Sequence, residues 1–424
     1  MAHPHEAPAS KTGPELTGAA LAVLVLAFSL NFIGRGIADA FAALILPLEA
    51  EFGWRRSALT GVFATYMLVS GLAAPLSGWI FDRFGPRAVY ALGLMMLAAG
   101  TLLSSRADAI WQIYLSSGVL VGLGASATGM VTAAALVSRW YKARLSTAIA
   151  VTYAGSGFGM LVMLPLAQAL IEYAGWRSAW QMMGIAAAAL VLPCVALPWA
   201  RLARRPGTAA GTSKLSTDSG PAGPGLREAL RHGAYWRLIQ VFFFTALASY
   251  LVTPQVVALL IEAGMQPILA ASAYGMAGLL STAGIVSAGW FTDRLGHQRT
   301  ALIAFASTTL GVLGLMLTVL TASPLAVGLY VVCFGLAQGA RGPIVSTLSN
   351  RIFAGPSVGT IYGTVYASMA VGGAIGSFAG GWLHDVFEGY LPVLLLSLVS
   401  LTLAAEPFRS GTALMRSARA LHPH

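Results

Sequence analysis

Apolar positions fall in blocks of about 20 residues, each long enough to cross ~30 Å of hydrocarbon as a helix. Turn residues and charges between the blocks place helices one to six at approximately 18–48, 57–80, 86–105, 111–138, 144–172 and 177–200. Helices seven to twelve follow at 235–261, 268–291, 299–321, 325–350, 358–383 and 388–408. The strand-length alternation of a membrane β-barrel is not the pattern here. An all-α membrane protein is predicted, with twelve transmembrane helices in two six-helix halves, residues 18–200 and 235–409. Residues 201–234 are dominated by Gly, Ser, Thr, Pro and Ala with basic flanks, the composition of a flexible linker. Residues 1–17 and 410–424 are expected to be cytoplasmic tails. No small-residue cleavage site follows the first apolar run, so it is read as a retained helix rather than a signal peptide.

Composition agrees with this picture. The 424 residues are 57% hydrophobic and 9% charged, with mean hydropathy +0.75, whereas soluble domains carry roughly 25% charge. A net charge of +10 raises the question of nucleic acid, but the placement of the charges answers it differently. Nineteen of the 25 Lys and Arg lie in the tails, the linker and the even-to-odd loops, against four in the opposite loops. The positive-inside rule then puts both termini in the cytoplasm, with the chain in a plasma membrane, the inner membrane of a bacterium. Cys194 and Cys333 fall in apolar helices and supply neither a disulfide framework nor metal spacing, so no metal and no cofactor are expected.

One shift of 211 residues superposes EFGWRRSAL (51–59) on EAGMQPILA (262–270) and GWIFDRFGPR (78–87) on GWFTDRLGHQ (289–298). Glu51 meets Glu262, Gly53 meets Gly264, Asp82 meets Asp293 and Arg83 meets Arg294. Two halves in parallel orientation follow, the arrangement of carriers with a site between repeats. The G-x-x-x-D-R-x-G element after the second helix of each half closely resembles the loop signature of the major facilitator superfamily. That resemblance implies a cytoplasmic gate built from Gly78, Asp82, Arg83, Gly85, Arg87, Gly289, Asp293, Arg294, Gly296 and Arg299. Gly78 and Gly289 would allow close helix approach, and the charged groups would latch the halves when the carrier opens outward. The blander reading is topology anchors plus turn residues.

LPLEAEFGWRRSAL (46–59), RWYKARLSTAIAVTYAGSGFG (139–159) and GARGPIVSTLSNRIFAGPSVGTIYG (339–363) resemble the monocarboxylate transporter and oxalate–formate antiporter branch. Three departures matter. The branch commonly carries a substrate-binding Arg on helix eight, yet residues 269–291 hold no charge before the Asp293 loop. Helix eleven lacks the Lys of oxalate exchangers, and Asp39 falls where animal members carry a helix-one Lys. Substrate identity therefore does not transfer.

Inside the spans, three charges remain. Arg35 and Asp39 sit at i and i+4 in NFIGRGIADAF (31–41), and Arg341 lies on helix ten. Each costs ~2.5–3.5 kcal/mol at mid-bilayer unless paired or facing water. The resemblance implies that helices one and ten line a central cavity. One reading makes Arg35 and Asp39 a self-neutralising pair. The other has Arg341 and Arg35 bind an anionic substrate, because a guanidinium fork fits a carboxylate, with Asp39 exchanging Arg35 for a proton. Asn31, Tyr250, Gln255, Gln338, Tyr153 and Tyr366 are further cavity candidates or interhelical hydrogen-bonding groups. Glycines 155, 157 and 159 and glycines 372, 376 and 380 form small-residue seams on helices five and eleven.

The expected function is a secondary active transporter of a small organic anion, working by alternating access as a proton symporter or anion exchanger. Its partners would be the anionic solute, H+ and the lipid bilayer, with no nucleic acid, and the chain is expected to be a monomer. An efflux carrier for drugs or hydrophobic metabolites is the alternative, and a non-transporting membrane sensor is the reading from another class. No P-loop, metal cluster or hydrolytic constellation suggests an enzyme.

Overall fold

Gly53 and Gly264, and again Gly85 and Gly296, are 211 residues apart, and all four have positive φ: 65° and 93°, then 80° and 79°. The repeat in sequence is therefore a repeat of backbone shape. At Gly85 and Gly296 nothing lies within 4 Å of where a Cβ would sit. Their ψ values of 172° and 161° complete a conformation open to glycine alone. Gly296→Ala is accordingly expected to cost about 1–3 kcal/mol, read as a lower thermal midpoint of otherwise folded protein in detergent.

The computed structural model describes residues 14–141, 145–202, 226–321, 323–353, 358–409 and 412–420. It is all-helical. Among the described residues, nine helices are long and apolar enough to cross a membrane. Two of them, Arg56–Ser104 and Ala148–Ala196, have 49 residues each, about 74 Å if straight and so far longer than ~30 Å of hydrocarbon. Each bends at a positive-φ glycine, Gly85 in the first and Gly175 in the second. Gly296 likewise separates the spans Pro267–Ile285 and Arg294–Thr321. A further 30-residue helix, Val358–Phe387, packs along Gly233–Val252.

Three details depart from the expected elements. Helix one is not continuous over 18–48: Pro14–Ala40 gives way to a 3-10 turn, Phe41–Leu44, before Ile45–Phe52. Pro47 has no N–H for the Ala43 carbonyl, which favours tightening at that point. In the second half a 3-10 turn at Thr253–Gln255, containing Pro254, breaks the helix in the same way, and the two turns touch. The tail beyond 410 contains a helix, Ala413–Ala420, with Leu414 and Met415 buried. Most of the expected linker, residues 203–225, lies outside the described residues, but Leu226–Ala229 at its end is helical.

The glycine seams are where helix backbones meet. A Cβ on Gly155 or Gly159 would stand 2.3 Å from the carbonyls of Phe28 and Phe32 on helix one. On Val358–Phe387, Gly372, Gly376 and Gly380 press equally against Phe243, Leu247 and Leu251. Gly157 faces the other way, onto the Gly278 carbonyl across the two halves. The halves also touch where Ser377 Oγ donates to the Thr60 carbonyl at 2.7 Å.

Candidate functional site

Helix one places Arg35 and Asp39 one turn apart, and their side chains meet. Arg35 Nε donates to Asp39 Oδ2 at 2.5 Å. The two ends of this pair differ. Asp39 is fully buried, whereas the Arg35 side chain keeps 31% of its surface. Asp39 Oδ1 has no hydrogen-bond partner among the described residues. Asp39 thus uses one oxygen to hold the Nε side of the guanidinium, and among the described residues no hydrogen bond occupies the terminal nitrogens.

The vestibule around Arg35 is walled by tyrosines from both halves. Tyr66, Tyr250 and Tyr274 lie within electrostatic reach of Arg35, as does Tyr366. Tyr250 packs against Phe63 with ring centroids 6.1 Å apart. Tyr274 is 2% exposed, and its hydroxyl has no partner among the described residues. Tyr366 is 45% exposed, and Tyr153, half-buried, lies within electrostatic reach of it. Tyr66 and Tyr274 were not among the sequence candidates. A lone tyrosine in an apolar helix carries no signal until its neighbours are known.

Other candidates lie elsewhere. Asn31 is 2% exposed and its amide donates to the Ala27 carbonyl of its own helix at 3.0 Å. Gln255 is likewise buried, with Nε2 on the Leu251 carbonyl at 2.9 Å. Both amides satisfy their own backbone rather than projecting donors into the vestibule. Gln338 is half-buried.

Arg341 does not share the vestibule with Arg35. It is 3% exposed and enclosed by Val241, Ala301, Phe305, Ile344, Val345 and Phe408, all from the second half. Its Nη2 donates to Thr308 Oγ1, and its guanidinium lies 5.3 Å from the centre of the Phe305 ring. Nε and Nη1 have no partner among the described residues. In this structure Arg341 and Arg35 are thus set apart, whereas the sequence reading has both bind the solute. The residue lies on the side of its helix turned toward Phe305, Thr308 and Phe408.

The residues of the expected gate lie at the surface where they are described. Asp82, Arg83, Arg87, Arg294 and Arg299 are exposed. Arg83 lies over Trp79 and Phe84, and Arg294 over Trp290 at 4.2 Å. Gly78 is not a point of close approach here, since an added Cβ would meet only Val131 at an ordinary 3.7 Å. Gly85 and Gly296 serve as turn residues. The side-chain position of Asp293 and the surroundings of Gly289 lie outside the described residues. The opposite end, around Arg56, is closed by hydrogen bonds between the halves.

A sequence model of the Major Facilitator Superfamily matches residues 24–376. An uncharacterized MFS-type transporter of Bacillus subtilis (strain 168), YcxA, is 26% identical over 90% of this chain and 93% of its own. Monocarboxylate transporter 13 of Bos taurus is 26% identical over 87% of this chain and 83% of its own. A crystal structure of a bacterial homolog to the human lysosomal transporter Spinster, inward-facing and occupied, superposes with a TM-score of 0.69 at 16% identity. It covers 96% of this chain and 98% of that one, a likeness of fold.

Proposed function

The chain belongs to the Major Facilitator Superfamily, and on that premise we propose that it carries a small organic monocarboxylate by alternating access, coupled to a proton. It is a multi-pass membrane transporter and not an enzyme, and its relatives include monocarboxylate transporters. The proposal adds twelve crossings, two six-helix halves of residues 18–200 and 235–409, and cytoplasmic termini in a bacterial inner membrane. Helix lengths and glycine bends support the crossings, and the Lys and Arg asymmetry supports the orientation. On this reading the exposed Asp82 and Arg294 mark a cytoplasmic opening and the hydrogen bonds of Arg56 an outer closure.

The observation that carries the reading is Arg35. Its Nε is fixed by Asp39, its side chain keeps part of its surface, and tyrosines of both halves lie within electrostatic reach of it. A guanidinium held by one side presents the other as a preorganised carboxylate receptor. Tyr250, Tyr153 and Tyr366 add rings and hydroxyls for the rest of the solute. Asp39 is the proton site: protonated, it gives up its charge-assisted hold on Arg35, and the freed cation strengthens its grip on the solute. Arg341, Asn31, Gln255 and Gln338 are assigned to the framework around the site rather than to contact with the solute in this state.

The test is uptake of lactate, pyruvate and oxalate into proteoliposomes with and without an imposed pH gradient. Accumulation of a monocarboxylate driven by acid outside is the expected result. Indifference to every short carboxylate would overturn the reading.

A further inference from the structure

We propose that Arg56 is the bolt of an extracellular latch, built so that the halves can separate without leaving a buried charge alone. The inference rests on the alternating-access reading above and concerns the opposite end of the molecule from the gate signature.

Arg56 is 1% exposed. Its Nη2 donates to Glu49 Oε2 at 2.6 Å, within its own half, and to Glu262 Oε1 at 2.7 Å, in the other half. Nε makes a second, 3.1 Å bond to the same Glu49 oxygen, and Nη1 donates to Tyr390 Oη at 2.6 Å across the interface. The helix that starts at Arg56 has no side-chain cap of its own, because Arg55 offers no acceptor there. Asp385 of the other half takes that place, accepting from the backbone N–H groups of Arg56 and Ser57 at 2.9 and 2.8 Å. One residue thus joins the halves through both its side chain and its amide.

Separation at this face breaks the bonds to Glu262, Tyr390 and Asp385. It leaves Arg56 on Glu49, and it leaves Glu262 beside His384 of its own half, whose Nε2 is 3.8 Å from Glu262 Oε2. The His384 ring is steadied against Tyr390, with centroids 4.6 Å apart. Buried Arg56 therefore keeps a carboxylate of its own half, and Glu262, with 38% of its side chain exposed, keeps solvent contact beside the His384 ring. Removing one member of a buried pair is costly because it strands the other, and this arrangement avoids that cost in both states. The latch is also one-sided. The repeat equivalent of Arg56 is Pro267, which has no cation, and the repeat equivalent of Glu262 is Glu51. Trp176 and Arg177 of its own half hold Glu51.

The sign of the mutational effect separates a latch from a merely stabilising cluster. The experiment uses full-length protein in lipid nanodiscs without solute, with Cys194 and Cys333 replaced by Ser. Spin labels are placed at Tyr173→Cys and Leu325→Cys, both more than four-fifths exposed, and read as a distance distribution. The wild-type pair is expected to show mainly the short, closed distance. Glu262→Gln should raise the long-distance population about tenfold, as loss of a charged hydrogen bond specific to one state implies. Tyr390→Phe, which keeps the ring, should raise it less. Adding Glu49→Gln to Glu262→Gln should lower the long-distance population again, because opening would then strand Arg56. Unchanged distances in Glu262→Gln, or a further increase in the double variant, overturn the proposal. Unmoved distances in a protein that transports would reject the latch alone. Failed uptake with the predicted distance shifts would reject the carboxylate reading and leave the latch standing.

Discussion

Arg35→Ala is expected to lower kcat/KM for carboxylate uptake by about 100-fold, the loss of two or so charge-assisted hydrogen bonds to the solute. The argument starts from the division of labour on the guanidinium. Asp39 occupies Nε, the terminal nitrogens have no hydrogen bond to an acceptor among the described residues, and the side chain keeps part of its surface. Removing them leaves Tyr66, Tyr250 and Tyr274, which present rings and hydroxyls but no charge. The variant should still fold, because Asp39, left without its cation, takes up a proton and so avoids a buried charge. Arg35→Lys is the sharper comparison. It keeps the charge but not the planar fork that Asp39 orients, and it should fall between wild type and alanine. Initial uptake rates in proteoliposomes decide the matter, with gel-filtration profiles checking the fold. Wild-type rates in Arg35→Ala would remove the site from this place.

Gly159→Leu is expected to abolish recovery of monodisperse protein. Here the obstacle is space, not conformation. An added Cβ would stand 2.3 Å from the Phe32 carbonyl oxygen and 3.2 Å from the Gly36 nitrogen, both of them backbone atoms. The two helices must move apart to admit even the first carbon, and with them the segment that carries Arg35. Overpacking of this severity costs about 3 kcal/mol or more. Gly363→Leu is the control, on a helix where nothing lies within 4 Å of the added Cβ. It should behave as wild type in size-exclusion chromatography of fluorescently tagged protein. If both variants elute alike, the seam is not a close contact.

Much of this was legible in the sequence because it depends on local periodicity. The 211-residue shift places Gly53 on Gly264 and Gly85 on Gly296, and those pairs share their backbone conformation. The i, i+4 spacing of Arg35 and Asp39 was enough to predict their contact. The seams on helices five and eleven were visible as glycine stripes. The rest depended on pairing between distant elements. Arg56 and Tyr390 are 334 residues apart, and nothing in the run EFGWRRSAL marks the second arginine as buried. The family resemblance puts Arg341 on a cavity-lining helix, but the side of that helix it occupies depends on where Thr308 and Phe305 stand. Tyr274 stands in a chargeless helix eight, and a hydroxyl brought near Arg35 by tertiary packing has no sequence signature.

Asp39→Asn tests the central claim most directly. Asparagine keeps the shape and an acceptor oxygen for Arg35 Nε, but it cannot carry a proton through the cycle. Radiolabelled monocarboxylate uptake is measured in proteoliposomes with acid outside, at several gradients. Wild type should accumulate solute above the external concentration in proportion to the gradient. Asp39→Asn should reach only the external concentration, while still exchanging solute for solute. Full gradient-driven accumulation by Asp39→Asn would contradict the account.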